Sequence, residues 1–420
     1  MHRLLILSVI LLVRTSFGQI EEVRRITETL CSPEFHGRGY VNRGDSIAAA
    51  FIADEFKKLD VQPFGDDYFQ PFTLNVNTFP GEMFVANDGN TLVPGKDFVI
   101  HHSSMGGAET LKALEIPAER ALDIEFIKEA IGIVRSGKSE NCLLFDLALL
   151  SGDELKQGRA ISQEVATIVP VIQLVNEKFT WSVSQQPQTV LFLQIQDSVV
   201  NKLAPFEVNI ESKRIENYPT QNVMAYIPGS RKCGKTIVFT AHYDHLGRMG
   251  RDTYFPGAND NASGTAMLFT MAKYFKENPT KFNILFIAFA GEEAGLVGSK
   301  FFVENTPIKL KKIRFLVNLD IMGSGEEGIT AVNGTLFEKE FEMLQKINSE
   351  KELLAKIKKR GPAANSDHYW FTEAGVPAFF IYTMGPNKHY HDIFDVYEDL
   401  SFKEYHDITT LLVDFVKMLE

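Results

Sequence analysis

Four near-continuous apolar runs, TIVFTAH, FNILFIAFA, IRFLVNL and PAFFIY, recur through the second half of this 420-residue chain, with helix-patterned stretches after Asn261, Gly295, Thr335 and Ser401. A strand that is apolar at every position has no face to give to water. Strands of this kind alternating with helices build a sheet covered on both sides. From Tyr218 to Glu420 the expected fold is therefore a three-layer αβα sandwich around a mixed, mostly parallel central sheet.

The carboxyl ends of strands in such a sheet are where ligands bind, and here each end carries chemistry. AHYDHLG brings His242, Asp244 and His245. A Gly- and Asn-rich loop, PGANDNASGTAM, holds Asp260 and leads into a helix. GEEAGLVGS brings Glu292 and Glu293, IRFLVNLD ends in Asp320, and HYHDIFDVYE supplies His389 and His391. Alone, Asp260 would be an ordinary helix cap and either histidine a core residue. Two adjacent carboxylates at one strand end repel each other unless a cation is near. Together the set is the nitrogen-and-carboxylate ligation expected of zinc in a hydrolytic site with an open position. There is no H-E-x-x-H zinc motif and no G-x-S-x-G nucleophile turn.

One other segment, GSRKCGKT from Gly229 to Thr236, fits the phosphate-loop pattern. A phosphate loop must open a helix, whose N-terminal amides hold the phosphates. Thr236 is followed by the β-branched run IVFTAHYD, so the segment reads as a polar turn between two strands.

The remainder sets the context. MHRLLILSVILLVRTSFGQ has the order of a secretory signal, with cleavage expected after Gly18, giving a secreted or periplasmic protein with no membrane insertion. Residues 19–72 carry a helical pattern, clearest in SIAAAFIADEFKKLDV, assigned to the catalytic layer. Residues 73–217 change to short apolar runs broken by Gly, Pro, Asn and Ser, the pattern of a β-rich inserted module. Residues 218–420 are the catalytic core. A net charge of −11 argues against nucleic acid and anionic membranes as partners. Cys31, Cys142 and Cys233 are odd in number and far apart, which argues against a disulfide framework while leaving room for one bridge.

AHYDHLG, GANDNASG, GEEAGLVGS, NLD and YHDIFDVYE resemble, in order, the five motifs of the co-catalytic zinc exopeptidases of metallopeptidase family twenty-eight. That family includes bacterial leucyl aminopeptidase, aminopeptidase Y and glutamate carboxypeptidase. The resemblance spans Tyr218 to Glu420 and the N-terminal helix. It implies two zinc ions per chain bridged by Asp260, with His242 and Asp320 completing one set of ligands and Glu293 and His391 the other. It further implies Glu292 as general base, Asp244 orienting His242, a cis bond between Asp260 and Asn261, and an inserted protease-associated domain. The set leaves His245 and His389 as flanking residues, and Asp367 and His368 match a supporting S-D-H segment. Where some secreted relatives have a Tyr, this chain has Ala363, and Tyr390 is the substitute candidate for stabilising the tetrahedral intermediate.

The function expected is an aminopeptidase acting on peptides. Two alternatives share the fold: a glutaminyl-cyclase-like acyltransferase with one zinc, and a glutamate-carboxypeptidase-like dipeptidase. The latter needs basic residues facing substrate carboxylates, for which Arg248 and Arg251 are the candidates.

Overall fold

The computed structural model describes residues 20–230 and 234–420. The expected leader and Cys233 lie outside them. The central sheet runs in the order Gln62–Pro63, Lys213–Ile227, Asn283–Phe289, Thr236–His242, Ile313–Leu319, Ala378–Met384, Gly328–Val332 and Ile357–Lys359. Its four middle strands, from Asn283–Phe289 to Ala378–Met384, are mutually parallel, and the outer pairings include antiparallel ones.

The apolar runs are buried on both faces, as their composition requires. Ile237, Phe239 and Ala241 face a core formed with residues 20–31 and helices Gly44–Lys58, Gly264–Glu277, Glu338–Lys351 and Tyr405–Met418. Val238 and Leu316 face the opposite core, closed by Phe302 and Phe371 from helices Val297–Glu304 and His368–Glu373. The N-terminal helical region thus packs on the central sheet. Among the described residues no helix is long and apolar enough to cross a membrane.

Strand Lys213–Ile227 pairs with Asn283–Phe289 and also with Phe69–Thr78, the ninth strand of the same sheet, so one long ribbon carries the inserted module. The boundaries expected at 72/73 and 217/218 fall inside these strands, where the chain crosses from module to sheet without a linker. The module holds a four-stranded antiparallel sheet and a five-stranded sheet. It also contains helices Ile124–Ser136 and Gly152–Val165, hidden in the sequence by the short apolar runs around them. In the first of these Ile127, Ala130 and Val134 are buried at helical spacing.

Segment GSRKCGKT joins strands Lys213–Ile227 and Thr236–His242, with residues 231–233 outside the described part. Thr236 opens a strand and not a helix. Cys31 and Cys142 are buried free thiols.

Candidate active site

Parallel register brings His242, the last residue of its strand, level with Phe289 of the neighbouring one. The residues that follow these strands therefore meet above one sheet edge. His242 Nε2 lies 3.2 Å from Asp260 Oδ1 and 3.4 Å from Asp320 Oδ1. His391 Nε2 lies 3.1 Å from Asp260 Oδ2 and 3.2 Å from Glu293 Oε2. The two oxygens of Asp260 are thus divided between two imidazole and carboxylate clusters. Glu292 stands beside them, partly exposed, on the wall of a cavity of about 200 Å³.

Each side chain is fixed by its neighbours. His242 Nδ1 donates to the main-chain carbonyl of Asp244 at 3.1 Å, leaving Nε2 for the cluster. The carboxylate of Asp244 stands 3.9 Å from that nitrogen. It instead accepts the main-chain N–H of Glu292 at 3.2 Å and of Glu293 at 3.3 Å. Asp244 therefore meets His242 through its main-chain carbonyl, while its carboxylate holds the glutamate turn. Asp320 Oδ2 accepts from Ser366 Oγ at 2.9 Å. Asp395 accepts the main-chain N–H of Asn259 and, at 3.0 Å, of Asp260. The Asp260–Asn261 bond is cis.

The loop bearing Asp260 is tied to the N-terminal region by Arg38, which is wholly buried. Its guanidinium donates to the carbonyls of Tyr243 at 2.8 Å, Pro256 at 2.7 Å and Gly257 at 2.6 Å. Gly257 has a φ of +58°, and a Cβ there would stand 2.3 Å from the His245 ring, so the loop closes over that histidine only with glycine.

Burial and crowding act together on the acids. Burial raises the pKa of Glu292 well above the carboxylate range, His242 opposing and Glu293 reinforcing it. Burial likewise pushes Asp244 up to about 7 and raises Asp320. For His391 burial works downward, yet Glu293 and Asp260 hold it up to about 11. Such a set calls for positive charge. Two of its buried atoms, Asp320 Oδ1 and His245 Nε2, have no hydrogen-bond partner. Unpaired buried donors and acceptors are costly, and the ligand-type atoms converging on Asp260 fit zinc in donor chemistry.

Of the remaining residues singled out in the sequence, Tyr390 lines the cavity and stacks on the His391 ring, centroids 3.9 Å apart. Burial and the surrounding acids keep its hydroxyl protonated. His389 lies apart, toward Asp392 and Asp399. Asp367 is fully buried, and burial pushes it up to about 7. Arg248 contacts His36 and Arg251 pairs with Glu82, and neither lines the cavity. The lining arginine is Arg360, beside Asn365, Phe380 and Tyr382. Its guanidinium hydrogen-bonds the Tyr382 hydroxyl at 3.4 Å. His245, read from the sequence as flanking, contacts Glu293 directly, Nδ1 to Oε1 2.7 Å. Arg38, Asp395 and Arg360 were also missed. Asp395 lies within the YHDIFDVYE motif without having been singled out there, and no local motif marks Arg38 or Arg360.

Residues 222–416 match the profile of Peptidase family M28. Over 180 residues the chain is 32% identical to aminopeptidase YwaD of Bacillus subtilis strain 168, a match covering 40% of this chain and 37% of that protein. It is 35% identical over 111 residues to a probable zinc metalloprotease of Pyrenophora teres f. teres, covering 26% of this chain and 23% of that one. The chain thus spans well under half the length of these curated relatives. Solved structures resemble it more extensively in fold. An aminopeptidase from Aneurinibacillus sp. strain AM-1 superposes with a TM-score of 0.63 at 18% identity, covering 95% of this chain and 93% of that one. A zinc aminopeptidase from Bacillus subtilis gives 0.67 at 19% identity, covering 95% and 94%. Coverage of that extent takes in the inserted module as well as the central sheet.

Proposed function

We propose that the protein is a dinuclear zinc exopeptidase of peptidase family M28, whose profile residues 222–416 match, and that it removes N-terminal residues from peptides. The observation that carries this reading is the division of the Asp260 carboxylate between two imidazoles, 3.2 Å and 3.1 Å away. His242 and Asp320 would hold one ion, Glu293 and His391 the other, and Asp260 would serve both. Bound zinc supplies Lewis acidity, polarising a carbonyl and lowering the pKa of water.

The chain's own residues do the rest. Glu292, on the cavity wall beside the proposed ions, takes the proton from the attacking water and returns it to the leaving amine. Asp244 fixes the turn on which Glu292 and Glu293 sit, so base and ligand diverge from one scaffold. Tyr390 offers its protonated hydroxyl to the developing oxyanion, the part Ala363 has no group to play. The carboxylates of Glu292 and Asp320 on the cavity wall complement a free α-amine.

The test pairs zinc content with the polarity of cleavage. Two zinc ions per chain, loss of activity on chelation, and hydrolysis of free but not N-acetylated aminoacyl substrates are expected. One zinc, or equal cleavage of acetylated and free substrates, overturns the reading. Arg360 on the cavity wall supports a second one, in which the free carboxylate of a short peptide is recognised. Cleavage of N-acetylated dipeptides that have a free carboxyl terminus, with no cleavage of aminoacyl amides, would favour it.

A further inference from the structure

His391 is placed by the inserted module. Its Nδ1 donates to the main-chain carbonyl of Trp181 at 2.9 Å, and the Trp181 N–H donates to the His391 carbonyl at the same distance. A carbonyl only accepts, so this contact puts a proton on Nδ1 and leaves Nε2 as the ring atom that faces Asp260 and Glu293. Three residues earlier, Lys178 Nζ reaches the carbonyl of Lys388 at 2.9 Å, that of Tyr390 at 3.3 Å and the Asp392 carboxylate at 2.9 Å. Three acceptors on either side of His391 thus share one ammonium group. The segment is anchored at its far end, where the Trp181 indole donates to Ile100 at 2.7 Å and stacks on Phe255.

The His391 side needs this support. Residues 385–396 follow strand Ala378–Met384 with no regular structure, and His391 has a φ of +54°, unusual for a residue with a side chain. By contrast, His242 ends a central strand and is set by the sheet itself.

We propose that Lys178–Trp181 is a positioning strap for His391, so that the zinc position using Glu293 and His391 is complete only while the module is seated. This rests on the dinuclear reading above. The whole chain would be stripped of metal and titrated with zinc alone against a chromophoric chelator. The wild type is expected to bind two ions. Lys178→Met is expected to bind one of them about tenfold or more weakly, the loss typical when a ligand's supporting partner is removed, with the other unchanged. Its turnover should be lost at limiting zinc and return in excess zinc. Lys178→Arg keeps charge and multiple donors and should restore both affinities. Asp392→Asn cuts the same tie from the other side and serves if Lys178→Met does not fold. Two ions on Lys178→Met at wild-type affinity, or equal weakening of both, sinks the strap alone. Fewer than two ions on the wild type sinks the dinuclear reading and the strap with it.

Discussion

His245 Nδ1 stands 2.7 Å from Glu293 Oε1, while Oε2 of the same carboxylate faces His391. Glu293 is therefore held on both oxygens, one by a buried residue outside the proposed ligand set. Replacing His245 with Ala leaves Oε1 unpartnered in a dry site. Zinc affinity should fall about tenfold or more, read by chelator competition. Unchanged affinity would mean Glu293 is set by its main chain alone.

The adjacent glutamates should separate by phenotype. Glu292→Gln keeps shape but removes proton acceptance, and should cost at least about 10²-fold in turnover with both metals retained. Glu293→Ala should lower zinc content itself and reduce thermal stability with it. Elemental analysis beside turnover decides. The opposite pattern reverses the assignment.

Asp244 accepts two main-chain N–H groups. In Asp244→Asn, one oxygen becomes an amide donor that meets another donor. Leaving a buried N–H unpaired costs about 1–3 kcal/mol, so thermal denaturation should show a clear loss and turnover should fall as the glutamate turn loosens. A melting temperature equal to wild type would show the turn is held elsewhere.

His101 and His102 stack in the module, centroids 4.2 Å apart. Burial pushes them down to about 3 and about 4, His102 adding to the effect on His101. Their unfolded value is 6.5, so the unfolded chain takes up protons first. Their stability contribution is complete above that value and is lost as pH falls from there toward the folded values. On the metal-free protein, His102→Phe should flatten the decline of melting temperature between those limits relative to wild type. Parallel curves would remove these residues from the acid response.

Arg360 lines the cavity without a carboxylate partner among the described residues. Arg360→Ala should lower kcat/KM about tenfold, the worth of one charged hydrogen bond, for substrates bearing a carboxylate near the scissile bond. Uncharged ones should be spared. Comparing Leu-Gly with its amide, and glutamyl with leucyl amides, separates a terminal carboxylate from a side chain. Equal losses on all four would deny Arg360 a part in specificity.

The residues legible in the sequence are those whose position follows from local pattern. His242, Asp320 and the glutamates come at the ends of apolar strands, and a parallel sheet gathers strand ends at one edge whatever the rest of the chain does. Asp260 was legible through its Gly- and Asn-rich loop. What stayed hidden depends on distant contacts. Trp181 meets His391 across 210 positions, and Lys178 looks like any surface lysine until the loop it grips is folded beside it. Asp244 was located, but which of its atoms meets His242 is set by the folded turn, since sequence does not distinguish a carbonyl from a carboxylate of one residue. The module's helices were obscured by the short strands around them.

Arg38 joins the chain 205 residues before Tyr243 and 219 before Gly257, the carbonyls it will bind. During synthesis the N-terminal layer must wait, its central cation still hydrated, until the whole module and the first catalytic strand have been made. Contacts spanning such lengths form late. In a refolding molecule the loop that bears Asp260 should therefore be among the last parts to settle, and catalytic competence should return no sooner than these long-range contacts.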